Sequence, residues 1–312
     1  METVVSLGSV NVDLVARLEP STLGELTGRY DWFPDPDETV AVDSIPDEID
    51  ELVDVVHLGG KGANQAVAAA KAGGDSTLLG RVGHDQEEFS VAASLADRGV
   101  DTTHLEEIDV ETGKAYVFLE PNGAARIAIL HGANGAVDMP YVNRHRDAIS
   151  AAALLLQNEI PIETMVTLAR SLETVENRPI VVFDPAPVED AAELLACPTI
   201  DIVTPNVYEY ERLASKLKNF HGVVIRKRGA KPLIVEPPDA EPFRVEPSAV
   251  TPVDTTGAGD VFAGYLAARL ALGDSLRPAV ELAAAAASYS TTQEGAQRAI
   301  PSVSVVRDLL SS

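Results

Sequence analysis

The stretch Asp254-Thr255-Thr256-Gly257-Ala258-Gly259-Asp260, with the apolar run 261–272 behind it, organises the reading of the whole chain. Two glycines around an alanine let successive backbone N–H groups converge on one point, while Val261, Tyr265, Ala268 and Leu272 recur at helical spacing. The sequence therefore predicts an anion nest at a helix N-terminus, where unpaired N–H groups and the positive end of the helix dipole favour negative charge. Asp260, in the first turn, lies within reach of whatever anion binds there. Donors for phosphoryl oxygens beside a base for an attacking hydroxyl are what phosphoryl transfer requires. Taken alone, the same residues also fit a plain loop whose acidic first-turn residue complements the dipole.

Upstream, residues 3–9 read as a buried strand ending at Gly8, with Asn11-Val12-Asp13 at its C-terminal edge, where open α/β sheets bind ligands. Asp13 is a candidate for substrate hydroxyls or, equally, a turn-capping aspartate. Residues 18–56, rich in Pro, Asp and Glu with strand-like pieces at 38–42 and 53–57, read as a lid. Leu58-Gly59-Gly60-Lys61-Gly62-Ala63-Asn64-Gln65 then opens a helix over 66–72. Its glycines let backbone approach a polar ligand near Lys61 and Asn64, although a solvated surface loop has the same composition.

From Ser76 onward strands and helices alternate. Strands are expected at 77–82, 153–157, 180–183, 200–204 and 222–226, helices at 86–98, 162–176, 190–196 and 207–216, and extended segments at 115–120 and 126–131. Such alternation implies right-handed crossovers and a mainly parallel sheet. Strands 232–236 and 241–245 read as a hairpin around Pro237-Pro238-Asp239, and helices 258–272, 276–291 and 303–310 close the chain.

Two distant motifs together resemble the ribokinase-like carbohydrate kinases, also called the phosphofructokinase-B family. Gly59-Gly60-Lys61-Gly62-Ala63-Asn64-Gln65-Ala66 looks like the N-terminal signature of that family, and Asp254 through Gly264 looks like its C-terminal one. Between and around them, Gly8-Ser9-Val10-Asn11-Val12-Asp13, Phe33-Pro34, Glu38-Thr39, His131-Gly132-Ala133-Asn134, Thr204-Pro205-Asn206 and Gly295-Ala296-Gln297 fall in the family's order. The resemblance implies a single α/β domain over 1–312, a three-layer sandwich with a central, mainly parallel sheet and a small β lid near 14–57 and 101–131. It also implies an ATP-dependent sugar kinase that phosphorylates the primary hydroxyl of ribose or of ribose 1-phosphate. A nucleoside kinase and, less closely, a catalytically silent sugar sensor are the competing readings.

Carried over by position, the resemblance makes Asp260 the general base and Gly257, Ala258 and Gly259 the anion hole. Asp13, Gly60, Lys61, Asn64 and Glu159 match sugar-binding positions. Carboxylates that accept from vicinal hydroxyls, beside Asn and Lys donors, suit a polyol. Asn206 and Glu209 resemble an Asn-x-x-Glu element that organises Mg2+ through water and the nucleotide phosphates, and Lys227, Arg228 and Gly229 occupy the segment beside the nucleotide. Asp254, Thr256, Ser290, Gln293 and Gly295 match the surroundings of a monovalent cation, K+. Arg126 is the candidate to clasp a 1-phosphate, since guanidinium holds phosphate bidentately, with an exposed strand-end charge as the alternative. A homodimer joined through the lids is implied as well. Departures from the family pattern are an inserted stretch at 21–32, Asp37 in place of a glycine, Pro232 in the nucleotide segment, and Glu294 and Ala299 in the cation loop.

Composition bounds the remaining possibilities. No apolar run approaches a membrane span, no export signal precedes the first strand, and the single cysteine, Cys197, forms no internal disulfide, so a reducing cytoplasm is the expected compartment. Acidic residues number 48 against 24 basic, a formal net charge of -24, and they occur along the whole chain. Such a field opposes nucleic acid and anionic membranes. It also implies self-repulsion that salt would screen. Thermal unfolding is expected to move to higher temperature from dilute buffer to molar potassium chloride, and an unchanged midpoint would rule out a salt-adapted surface.

Overall fold

The computed structural model describes residues 3–36, 38–121 and 125–311; Asp37 lies outside them. β1 (Thr3–Leu7) turns into β2 (Asn11–Arg17), and α1 (Pro20–Arg29), β3 (Thr39–Ala41), α2 (Asp47–Asp50) and β4 (Val55–Gly59) precede α3 (Lys61–Lys71). Next come β5 (Asp75–Gly83), α4 (Val91–Asp97), β6 (Val100–Asp101), β7 (Leu105–Ile108), β8 (Gly113–Leu119), β9 (Ala125–Leu130) and α5 (Met139–Arg144). Strand and helix then alternate through β10 (Ala153–Gln157), α6 (Ile162–Ser171), β11 (Ile180–Asp184), α7 (Ala191–Leu194), β12 (Ile202–Val203), α8 (Val207–Leu217) and β13 (Val223–Arg226). The hairpin β14 (Leu233–Glu236) and β15 (Phe243–Val245) follows, and α9 (Ala258–Ala271), α10 (Leu276–Ser290) and α11 (Val303–Ser311) end the chain.

The main sheet runs β15-β14-β13-β12-β11-β10-β1-β5-β6, with β7 also on β5, and it is parallel from β6 to β13. β1 and β10 are nearly continuous apolar runs because helices cover both of their faces. Successive residues serve opposite layers: Val4, Ala153 and Leu155 pack with α3, α9 and α10, whereas Val5, Leu7, Leu154 and Leu156 pack with α5, α6 and α7. The expected three-layer α/β sandwich is therefore present. Among the described residues no helix is long and apolar enough to cross a membrane.

A second sheet, β3-β9-β8-β2-β4, forms the lid. It draws on 11–59 and 113–130, a little displaced from the expected limits, since β6 and β7 belong to the main sheet. One of its faces is closed by the chain itself. Leu14, Ala16, Tyr116, Phe118 and Ala128 are buried there beneath Leu26, Phe33 and Ile49, with the Phe33 and Phe118 rings 4.9 Å apart and Tyr116 Oη donating to Asp50 at 2.6 Å. The inserted stretch thus folds as α1 and an aromatic cap.

Four local expectations change. Asn11-Val12-Asp13 is the start of a full strand, betrayed by Val12, Leu14 and Ala16 at alternate buried positions. α1 went unforeseen because Pro, Ser, Thr and Gly give it little intrinsic preference and Leu26 is its one buried residue. Residues 86–90 are turn rather than helix, so α4 starts at Val91. Finally, α5 was missed although Asp138 caps it by accepting from Tyr141 N at 2.9 Å.

Candidate active site

α3 and α9 bring the two glycine motifs together. A Cβ on Gly264 would lie 2.3 Å from the carbonyl oxygen of Gln65, so only glycine permits this approach of the two backbones. One turn earlier on α9, the carboxylate of Asp260 is 4 % exposed and held at both oxygens. Asn64 Nδ2 donates to Oδ2 at 3.0 Å and Gln65 Nε2 to Oδ1 at 3.2 Å. Gln65 in turn accepts from Gln157 Nε2 at 2.7 Å, at the end of β10. The resemblance assigned Asn64 to sugar hydroxyls and not to Asp260, and Gln65 and Gln157 carried no assignment; their signal was only an amide following Asn64 and another ending a buried strand.

Gly257 begins α9 with φ +73, and no side chain caps the helix. Ala258 N donates to Thr255 O in a long bond of 3.3 Å, and no capping side chain occupies the N–H of Gly259, which faces the positive end of the helix dipole. Lys227 Nζ sits where a side chain on Gly259 would go, 3.0 Å from that point, and contacts Asp184 at 3.2 Å. These groups border a cavity of about 730 Å³. Its lining is polar at Lys61, Asp184, Asn206, Glu209, Lys227 and the nest, and apolar at Leu233, Pro247, Val250, Pro252, Ala284 and Ala287. Arg228 and Gly229 line it as expected, and Pro232 accepts a hydrogen bond from Arg228 at 3.3 Å. That volume and mixed polar and apolar lining suit a nucleotide.

Asp184 was not anticipated. It ends β11 just before Pro185-Ala186-Pro187, and a carboxylate at the C-terminal edge of a parallel strand was a usable signal. Asn206 and Glu209 make a reciprocal capping box at the start of α8: Asn206 N donates to Glu209 at 2.7 Å, and Glu209 N donates to Asn206 Oδ1 at 2.9 Å.

At the start of α3, Glu159 accepts from the Ser9 hydroxyl and from Lys61 N at 3.2 Å. Carboxylates crowd around one ammonium. Burial by itself would lower the Lys61 pKa, but Asp260, Glu159, Asp184 and Glu209 outweigh it and hold the lysine protonated. Burial, with Glu159 and Asp260 adding to it, pushes Asp13 up to about 7 against the pull of Lys61. Asp260 is also raised, chiefly by burial and further by Asp184, while Lys61 and Asn64 oppose the shift. Burial and then Asp184 raise Glu209. A buried carboxylate with an elevated pKa is a stronger base than an exposed one, which suits proton abstraction from an alcohol.

Asp254 joins the loop before the nest to the one after α10, accepting from Thr256 N and Gly295 N, both at 2.9 Å. Ser290 bonds within its own helix, to Ala287 O at 2.9 Å, and Gln293 is exposed. Arg126 is not brought to the site. Its guanidinium donates to Glu120 at 2.7 Å and Pro34 O at 2.6 Å and lies over the Phe33 ring. Being paired with Phe118, it faces the aromatic cap, on the side of the lid opposite Asp13. The expectation that Arg126 clasps a phosphate on the substrate gives way to a structural role.

The pattern of the pfkB family of carbohydrate kinases matches residues 40–303. The chain is 30% identical over 328 residues to a bifunctional ribokinase/ribose-5-phosphate isomerase A of Fructilactobacillus sanfranciscensis, and spans 56% of that protein's length. It is 30% identical to the ribokinase of Haemophilus influenzae, over 96% of this chain and 95% of that one. Among solved structures, Arabidopsis thaliana ribokinase complexed with ribose and ATP superposes with a TM-score of 0.79 at 27% identity, covering 99% of this chain and 98% of the other.

The raised Asp13 has a consequence for stability. Its folded-state pKa of about 7 exceeds its ordinary 3.8, so its contribution favours folding below that ordinary value and is lost as pH rises through 7. Asp13→Asn removes this loss. In urea unfolding, the variant is expected to be roughly 2–4 kcal/mol more stable than wild type at pH 8, with the two converging toward pH 4. A pH-independent difference would contradict the placement of Asp13 in this carboxylate cluster.

Proposed function

Because the chain belongs to the pfkB family of carbohydrate kinases, and is a phosphotransferase with an alcohol acceptor, we propose that it transfers the γ-phosphoryl group of ATP to the primary hydroxyl of a ribose-type sugar. The observation that carries this reading is the position of Asp260, fixed by Asn64 and Gln65 beside the nest and in the lining of the nucleotide-sized cavity. The sugar lies between α3 and the lid, with Asp13, Lys61, Asn64 and Glu159 binding its hydroxyls. Asp260 accepts the proton of the attacking hydroxyl, and the Gly257–Gly259 amides with Lys227 receive charge on the phosphoryl oxygens. Holding both reactants in line removes much of the entropic barrier, and the lid keeps water from taking the place of the sugar.

Magnesium fits the phosphate end. Asp184 and Glu209 are buried neighbours whose negative charge raises Glu209, a strain that a divalent cation would relieve. The ion would neutralise phosphate charge. A monovalent cation such as K+ is proposed at the loop joined by Asp254 and Gly295, where the buried Gln297 amide has no protein partner for either polar atom.

Free ribose is preferred over ribose 1-phosphate, since Arg126 is engaged elsewhere. Turnover with ATP on ribose, ribose 1-phosphate, adenosine, cytidine and fructose 1-phosphate tests the choice. Ribose is expected to give the highest kcat/KM; activity confined to adenosine or cytidine would make this a nucleoside kinase, and absence of ADP release with every acceptor would make it a sensor. Asp260→Asn is expected to lower kcat by about three decades with a small change in KM, and near wild-type turnover would remove Asp260 from the base role.

The expectation of a lid-joined homodimer is revised. The lid face that a partner's lid would cover is already occupied by α1, Trp32 and Phe33 of the same chain. We therefore take the working unit to be a monomer, and sedimentation at micromolar concentration in high salt is expected to give the mass of one chain; a dimer under those conditions would refute this.

A further inference from the structure

The inner face of the lid carries a polar side chain that none of the motifs accounts for. β2 and β4 are antiparallel, and Asp13 is the register partner of His57. Directly opposed residues in such a pair share a face, with Cβ atoms about 4.5–5.5 Å apart. Gly59, two residues further along β4, is on that face too, and a Cβ there would lie 2.1 Å from Asp13 Oδ2. The Asp13 carboxylate is thus folded over Gly59, toward Lys61, and the imidazole is the next side chain outward. Val15, Val55 and Ala115, which flank the pair on the same face, are apolar. Across the cleft, His57 is close enough to contribute to the ionisation of Asp254, after the hydrogen bonds from Thr256 and Gly295 that oppose the effect of burial. His57 is partly exposed. It therefore stands at the mouth of the sugar pocket, between the lid and the loop that leads to the nest.

We propose that His57 hydrogen-bonds the C1 oxygen of the acceptor sugar and so sets the enzyme's preference at the anomeric end. This rests on the ribose kinase reading above. If the primary hydroxyl at C5 meets Asp260 and the vicinal 2,3-diol is taken by Asp13, the oxygen that follows around the furanose ring is the one on C1. That oxygen falls outward of Asp13, on the side where His57 is the neighbouring polar group. An imidazole can donate to or accept from a hydroxyl there, and can donate to the oxygens of a phosphate there. The contact is a specificity device and has no part in proton transfer at C5.

Steady-state kinetics on ribose, on 1,4-anhydroribitol, which lacks the C1 hydroxyl, and on ribose 1-phosphate test it in wild type, His57→Ala and His57→Gln. Wild type is expected to prefer ribose over 1,4-anhydroribitol by about tenfold in kcat/KM, the worth of one hydrogen bond. His57→Ala is expected to lose that preference through KM, with kcat on ribose within about twofold of wild type, and His57→Gln, which keeps a donor, to retain part of it. A fall on ribose 1-phosphate larger than on ribose would identify a phosphorylated C1 oxygen as the natural partner of the same side chain. An unchanged ratio of ribose to 1,4-anhydroribitol in both variants would overturn the contact while leaving the kinase intact. No turnover by wild type on any of the three would overturn the function and this contact with it.

Discussion

The structure depends on the attachment of Asp260 to α3. A carboxylate buried to this degree is costly unless its oxygens are hydrogen-bonded, and here both are, by side chains nearly two hundred positions earlier in the chain. Those two bonds require the axes of α3 and α9 to be close, which Gly264 allows by lacking a side chain against the Gln65 carbonyl. They also require α3 to begin abruptly at Lys61, immediately after the lid strand β4, so that Asn64 and Gln65 fall in its first turns. Asp260, the turn at Gly257 and the first turns of α3 are therefore a single packed unit. The lid is the separate part, joined to this unit by β2 and β4 at Asn11 and Gly59 and by β8 and β9 at Gly113 and Leu130.

Around that unit negative charge is concentrated well beyond what one cation balances. Asp13, Glu159, Asp184, Glu209 and Asp260 all act on or near Lys61. Folding such a cluster opposes stability, and the elevated pKa values of Asp13, Asp260 and Glu209 are the measure of that opposition. The arrangement makes chemical sense for an acceptor rich in hydroxyl donors together with a nucleotide that brings its own cation. In the proposed complex, sugar hydroxyls would donate to the carboxylates on one side, and a divalent ion would shield those on the other. The ligands complete an electrostatic design that the protein alone leaves unbalanced.

Much of this was legible in the sequence, for definite reasons. Parallel strands buried on both faces announce themselves as apolar runs, as in Ala153–Gln157, whereas Gly-Ala-Gly before an apolar helix, which also fits a plain loop, became specific only together with the distant motif at Gly59–Ala66. Asp184 was passed over because a lone acidic residue at a strand end is common, and only the fold shows that Lys227 and the cavity meet it there. α1 is held by packing against the lid rather than by its own residues, so local preference could not reveal it. Arg126 misled for the converse reason. Its side chain points where the period of its strand directs it, and a residue-by-residue reading of charge ignores which face a strand position serves.

The overall charge sharpens the question of how a polyanionic nucleotide reaches this site. A chain with a formal net charge of -24 presents a repulsive field to any phosphate at long range. Of its few basic side chains, Lys61, Lys227 and Arg228 all line one cavity, and the dipole of a fourteen-residue helix ends there as well. These groups concentrate attraction at the cavity, against the repulsion set by the net charge. Salt shortens the reach of the repulsion to about 8 Å at physiological strength and about 3 Å in molar solution, but leaves contacts inside a partly buried pocket far less affected. An acidic surface and a phosphate-binding interior are compatible only under that separation of ranges.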